Sequence, residues 1–216
     1  CNSLTSLDVS QLNTENTENM KYMFYGCSSL KNIDISNFNL NTVISMEYMF
    51  YNSSIISISL PKMDIQNYTN MKYMFGHCSS LISIDLSKFN AENNINMEYL
   101  FLNCESLSSI NFTNWNVKNE IHMNNMFENR NSLKSVNLSN IKGEDYIYME
   151  YMFNNCSSLE SINIFNFSAK NEIHLDSLII NCKSLISVEF SNLNFNKIGF
   201  KAFNLSKSSD LIGCPL

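Results

Sequence analysis

The chain has 216 residues, 44% of them apolar and only 16% charged, with a net charge of −6 and a pI near 5.0. That balance argues against a nucleic-acid partner, which needs a basic face, while 5 Gly and 2 Pro exclude collagen-like and Pro/Gly-rich disordered chains. No apolar run approaches the roughly 18 residues of a membrane-spanning helix, and the segment from Cys1 to Ser10 has neither the basic nor the apolar part of a signal peptide. Asn (36) and Ser (32) together supply about a third of the chain.

The organisation is a repeat. Met-x-Tyr-Met-Phe begins at Met20 and returns, complete or degraded, at Met46, Met71, Met97, Met123 and Met149, with weaker copies at Leu175 and Phe200, in steps of 25 or 26 residues. A second apolar element keeps the same phase, as Leu30/Ile33/Ile35, Ile55/Ile58/Leu60, Leu81/Ile84/Leu86, Leu107/Ile110/Phe112, Leu133/Val136/Leu138, Leu159/Ile162/Ile164 and Leu185/Val188/Phe190. A fixed period of this kind decides the architecture before any local detail does.

Within a unit, apolar residues at Met20, Met23 and Phe24 have the i, i+3, i+4 spacing of one helix face. Short helices are therefore predicted to start near 20, 46, 71, 97, 123, 149, 175 and 200. Asn19, Ser45, Asn70 and Asn96 stand where helix N-caps belong, and Ile44, Ile95, Ile121, Ile147, Ile173 and Ile198 one residue earlier, where a hydrophobic staple would sit. Six residues after each Met or its equivalent come Gly26, Asn52, His77, Asn103, Asn129, Asn155 and Asn181, residue types that tolerate a left-handed conformation. The apolar period then changes to 2, which reads as a short strand. One strand, a crossover and a two-turn helix cannot bury their apolar faces alone, so neighbouring units must stack. The expected fold is an α/β solenoid spanning 1–216 as a single array. It would be a right-handed leucine-rich-repeat coil of about eight strand–crossover–helix turns, with a parallel sheet on one face and short helices on the other. At about 4.8 Å per strand the array would be roughly 40 Å long. Both ends fall within a repeat, so a segment of a longer array is expected.

The run Asn70-Met71-Lys72-Tyr73-Met74-Phe75, followed by Cys78-Ser79-Ser80-Leu81, Ile84-Asp85-Leu86-Ser87 and Phe89, resembles the 26-residue repeat of the BspA-like leucine-rich repeat family. Ile198-Gly199-Phe200-Lys201-Ala202-Phe203 resembles a variant of it. The departures are the helix expected at Leu175, which has neither Met nor Phe, Arg130 at the Cys position, and a deletion before Ser53. The resemblance implies a non-catalytic module at a cell surface or secreted, adhering to host, matrix or neighbouring surface proteins, or to a glycan.

Side-chain constellations offer no chemistry that competes with this. Cys27, Cys78, Cys104, Cys156 and Cys182 share one repeat position, into which Cys1 also fits, and read as reduced, packed thiols; Cys214 lies outside the pattern. There is no Cys-x-x-Cys, and His77, His122 and His174 do not form a trio, so no metal, cofactor or catalytic site is expected. The candidate partner-binding surface is the concave strand face. Its polar residues are Asp8, Asn32, Asp34, Ser83, Asp85, Ser109, Asn111, Ser135, Asn137, Ser161, Asn163, Ser187 and Glu189, with Ser57 and Ser59 beside them. Ser36, Pro61, Ser87, Thr113, Ser139, Phe165 and Ser191 extend it as a further row. On the helical side, Tyr22, Tyr48, Tyr73, Tyr99 and Tyr151 share a slot, read either as packing between turns or as an interaction surface. Beside them Lys21, Glu47, Lys72 and Glu98 alternate in sign. The functional expectation is a protein-binding or adhesion module. The alternatives are a structural spacer or stalk of a larger surface protein, and an intracellular repeat scaffold.

Overall fold

The period-2 segments form strands, each stacked in parallel on its counterpart one turn away. The computed structural model describes residues 1–191 apart from Lys88, Thr113 and Asn114, together with the backbone of Lys197–Ile198 and Phe203–Asn204. The first wall consists of Asn32–Asp34, Ser57–Ser59, Ser83–Asp85, Ser109–Asn111, Ser135–Asn137, Ser161–Phe165 and Ser187–Ser191. Its central residues Ile33, Ile84, Val136, Ile162 and Val188 are buried and its flanking residues point outward, the alternation that a half-buried strand requires. A second wall holds Met63–Ile65, Phe89–Ala91, Asn116–Val117, Lys142–Gly143 and Ser168–Ala169 as one parallel sheet. The third wall is the largest continuous sheet, with six strands: Thr69–Asn70, Ile95–Asn96, Ile121–His122, Ile147–Tyr148, Glu172–His174 and Lys197–Ile198. Asn19 and Ser45 join it by single bridges, so it carries six strands rather than the eight turns expected.

The fold is a parallel β-solenoid, not an α/β one, and no α-helix occurs among the described residues. The segments predicted as helices from 20, 46, 71, 97, 123, 149 and 175 are chains of tight turns, passing into the short strands Phe153–Asn154 and Ile179–Ile180 in the later turns. The amide hydrogens explain why. Between 20 and 27, alternate N–H groups leave the turn altogether: Met20, Tyr22, Phe24 and Gly26 donate to the carbonyls of Ser45, Glu47, Met49 and Tyr51 in the next turn, at 2.8–3.1 Å. The intervening amides close overlapping β-turns, Met23 to Met20, Tyr25 to Tyr22 and Cys27 to Phe24. Lys21 N–H is taken by Asn19 Oδ1 at 2.9 Å. Every donor from 20 to 27 is thus satisfied without one i→i−4 bond. The supposed N-caps do cap, since Ser45, Asn70 and Asn96 accept from Glu47, Lys72 and Glu98 in the same way, but a turn follows instead of a helix. The isoleucines assigned to staples, Ile95, Ile121, Ile147 and Ile173, are instead the buried register row of the third wall.

The turns need two left-handed residues each. The corner expected at Gly26, Asn52, His77, Asn103, Asn129, Asn155 and Asn181 is present, with φ between 54° and 64°. A second, which the sequence gives no sign of, falls on Tyr22, Tyr48, Tyr73, Tyr99 and Tyr151, at φ of 55–60°. Both stand third in a β-turn, where a type II turn demands positive φ. A non-glycine residue held there costs about 1–2 kcal/mol. Stacking of the tyrosine rings, worth about 0.5–1.5 kcal/mol per pair, and the bonds to the next turn offset it.

The interior is a column of phenylalanines. Phe24, Phe50, Phe75, Phe101, Phe127 and Phe153 stack one turn apart with ring centroids 5.0–5.9 Å apart. Beside it runs the cysteine slot. The thiols of Cys78, Cys104, Cys156 and Cys182 donate to the carbonyls of Phe50, Phe75, Phe127 and Phe153 at 2.9–3.0 Å. Ser53 fills that slot in its own turn, its hydroxyl 3.4 Å from Cys78 Sγ, so the one-residue deletion falls after Ser53, not before it. The helix predicted near 200, together with Thr113 and Cys214, lies outside the described residues.

Candidate functional site: the polar strand wall

The first wall collects the candidate residues. Asn32 aligns with Ser57 and Asp34 with Ser59; Ser83 with Ser109 and Asp85 with Asn111; Ser135 with Ser161 and Ser187; Asn137 with Asn163 and Glu189. All are exposed except Ser161 and Asn163, which are half-buried. Asp8 is exposed but lies in a non-strand segment before the wall begins. The extra row is corrected at Pro61 and Ser139, which are buried rather than outward. Ser139 turns inward because its hydroxyl bonds to Asn137 and, at 3.5 Å, to Asn163.

The acids of this wall are occupied in folding. The Oδ1 atoms of Asp8, Asp34 and Asp85 each accept the N–H two residues on, from Ser10, Ser36 and Ser87, all at 2.9 Å, and Asn137 does the same for Ser139. These are Asx-turns, in which the side chain stands in for a backbone carbonyl to bend the chain out of the strand. The bonds from Ser10 and Ser36 hold the carboxyls of Asp8 and Asp34 below the usual aspartate value, so both are charged at neutral pH. Read as a surface, the wall is two rows of short hydroxyls, amides and carboxylates, with links such as Ser57 Oγ to Asn32 Oδ1 at 2.8 Å. At its edge with the second wall is an open groove of about 660 Å³ lined by Ser36, Pro61, Asp64, Ser87 and Asn90, where Lys62 pairs with Asp64 at 2.6 Å.

The tyrosine slot is packing over four turns: Tyr22, Tyr48, Tyr73 and Tyr99 stack at 5.2, 4.9 and 4.7 Å. The alternating charges pair beside them, Lys21 with Glu47 at 2.5 Å and Lys72 with Glu98 at 2.7 Å. Tyr151, 44% exposed, stands apart from this stack. His122 and His174 sandwich Tyr148 at 4.5 and 4.6 Å. Among the described residues, no group of three or more His, Cys, Asp or Glu side chains is arranged to hold a metal ion. The described cysteines are free thiols, and among the described residues no helix is long and apolar enough to cross a membrane.

Sequence reasoning missed two features. One is the Asx-turn role of the acids, which the recurring Asp-x-Ser spacing could have disclosed. The other is the burial of Arg130: the repeat places it in the cysteine slot, but its residue type does not predict a fully buried side chain there.

Fold and surface together define a class: a parallel β-solenoid of 25- or 26-residue turns presenting one polar strand wall. The chain belongs to the family described as "Mycoplasma protein of unknown function, DUF285", whose profile matches residues 1–110 and again 96–208. No curated protein matches the chain.

Proposed function

We propose that this solenoid is a non-catalytic protein-binding module, displayed at a cell surface and docking its partner on the first wall. The observation that carries the reading is register. Exposed Ser, Asn and Asp residues recur in two rows at constant spacing through the paired strands. A rigid lattice of donors and acceptors meets a protein surface with little ordering entropy left to lose. The acidic members favour basic partners and speed their approach at low ionic strength. Surface display and adhesion follow from the resemblance of the Met-x-Tyr-Met-Phe…Cys-Ser-Ser-Leu run to BspA-like repeats.

The test is binding to purified basic and acidic extracellular-matrix proteins at 50 and 150 mM salt. The chain is compared with Asp34→Asn/Asp85→Asn, which removes charge but keeps the Asx-turn, and with Glu47→Gln/Glu92→Gln, away from that wall. Slower association of the Asp variant alone, with the difference fading at high salt, supports the first wall. Equal binding by the Asp variant and wild type removes that wall from the proposal. No binding to any panel member favours a spacer.

A further inference from the structure

The tyrosine side carries a two-turn motif that is complete twice and incomplete once. In the first copy Lys21-Tyr22 lies against Glu47-Tyr48; in the second Lys72-Tyr73 lies against Glu98-Tyr99. In both, the lysine bonds the glutamate one turn on while its ammonium sits over a tyrosine, 5.1 Å from the Tyr22 centroid, and 5.7 and 5.4 Å from those of Tyr73 and Tyr99. The third copy reads Asn124-Asn125 against Glu150-Tyr151, so the turn that should supply a cation and a ring supplies neither.

The backbone there is unchanged. Asn125 keeps the left-handed φ of 57°, its amide still bonds Glu150 O at 2.9 Å, and Asn124 Oδ1 accepts the Glu150 N–H at 2.8 Å. What is left is an open notch of about 500 Å³ between Tyr99 and Tyr151, walled also by Glu128, Glu150 and, at one side, the Lys72–Glu98 ion pair, whose two charges offset each other. Two turns at about 4.8 Å per strand separate its aromatic walls by roughly 9.6 Å. A planar group placed midway would then stand at the spacing of the intact stack, 4.7–5.2 Å. Asn125 and Asn154 hold the two oxygens of Glu128 at 3.1 and 2.9 Å. No ion pair among the described residues engages Glu128 or Glu150.

The geometry points to a recognition site for an arginine side chain of a partner protein, its guanidinium slotted between Tyr99 and Tyr151 and facing Glu150 and Glu128. Arginine alone among side chains unites the two missing parts, because its guanidinium is a permanent cation and a plane that stacks on aromatic faces and bonds carboxylates in a fork. The partner is not a second copy of this chain, whose single arginine, Arg130, is fully buried.

The probe is the blocked tripeptide Gly-Arg-Gly, titrated into the whole chain and followed by NMR of the Tyr99 and Tyr151 ring resonances. Gly-Lys-Gly (a cation without a plane) and Gly-citrulline-Gly (a plane without a charge) serve as controls. The arginine peptide is expected to shift both rings and to bind at least fivefold more tightly than either control. Asn125→Tyr completes the stack, with a residue that sister turns already hold at positive φ, and should weaken binding at least tenfold. Asn124→Lys installs the cation that Lys72 provides one motif earlier and should do the same, so the site stays testable if one variant folds poorly. Binding undiminished in both variants, equal binding of the lysine peptide, or no ring shifts at millimolar peptide overturns the assignment.

Discussion

The guanidinium of Arg130 donates through Nη1 to the carbonyl of Phe101 at 3.1 Å, the contact that a cysteine thiol makes with a phenylalanine carbonyl in neighbouring turns. Nη2 donates to Leu107 O at 3.0 Å, and Nε is buried with no partner. The side chain is fully buried between Cys104 and Cys156, and burial pulls its pKa down. No carboxylate offsets the desolvation, and a buried charge in that position is a net expense. Arg130→Met, similar in length and uncharged, should leave the free energy of unfolding unchanged or raise it by about 1–4 kcal/mol. Arg130→Ala, which opens a cavity, should lower it by about 2–5 kcal/mol. Denaturant melts decide the matter: a loss of more than about 2 kcal/mol in the Met variant would mean that the two carbonyl bonds outweigh desolvation.

The phenylalanine column sets the second expectation. Phe127 is fully buried, stacked between Phe101 and Phe153 at 5.9 and 5.6 Å. Phe127→Ala should lower stability by about 3–5 kcal/mol. Tyr151→Ala, at a ring 44% exposed, should lower it clearly less. Similar losses in urea titrations would place Tyr151 among the core residues.

Alkaline pH should weaken the fold. Burial pushes the Cys104 thiol up to about 11 from 9.0, against the pull of Arg130, and also raises Cys78. Between those values the unfolded thiol releases a proton that the folded one keeps, so the stability present below pH 9 is progressively lost as pH rises toward 11. For Cys104 this amounts to about 2–3 kcal/mol, at 1.36 kcal/mol per pH unit. Unfolding measured at pH 8, 9.5 and 10.5 should show the decline, and Cys104→Ala should flatten it. In native protein, an alkylating reagent at pH 8 should label Cys1 before Cys27, Cys78, Cys104 and Cys156, which are buried.

The Asx-turns make a sharper distinction than charge alone. Asp34→Asn preserves the acceptor for Ser36 N–H, as Asn137 does for Ser139, so it should melt below wild type only by the charge-assisted share of the bond. Asp34→Ala should melt lower. The Asp34 carboxyl titrates below its ordinary value of 3.8, so its contribution is present above that pH and is lost as pH falls through the lowered value. The gap between wild type and the Ala variant should therefore narrow in acid, toward that of the Asn variant. A gap that stays unchanged as pH falls through the carboxyl's titration would assign the effect to packing.

Much of this architecture was legible without coordinates. The strand rows, the left-handed corners at Asn52 and Asn103, the cysteine slot and the Lys21–Glu47 and Lys72–Glu98 pairs all follow from one arithmetic fact. A period of 25 or 26 residues brings like positions together. The polar wall was legible for the same reason, since period-2 alternation says which side chains leave the core.

What the sequence could not decide is where an amide hydrogen goes. Met46, Met49 and Phe50 have the same spacing on a helix as on overlapping β-turns, and the turns bury all three. The choice lies with the Tyr22 N–H, which reaches Glu47 O at 3.1 Å instead of its own turn. That bond exists only once a neighbouring turn is stacked in register, and it holds Tyr22 at a φ of 60°, which no local preference of tyrosine supports. The notch at Asn125 has the same origin. Two asparagines in a chain with 36 of them carry no signal; they become a gap only because tyrosines stack in the turns around them. Period and facing are written in the side chains, whereas the partners of the backbone, and with them helix or turn, packed ring or open slot, are set by contacts one full turn away.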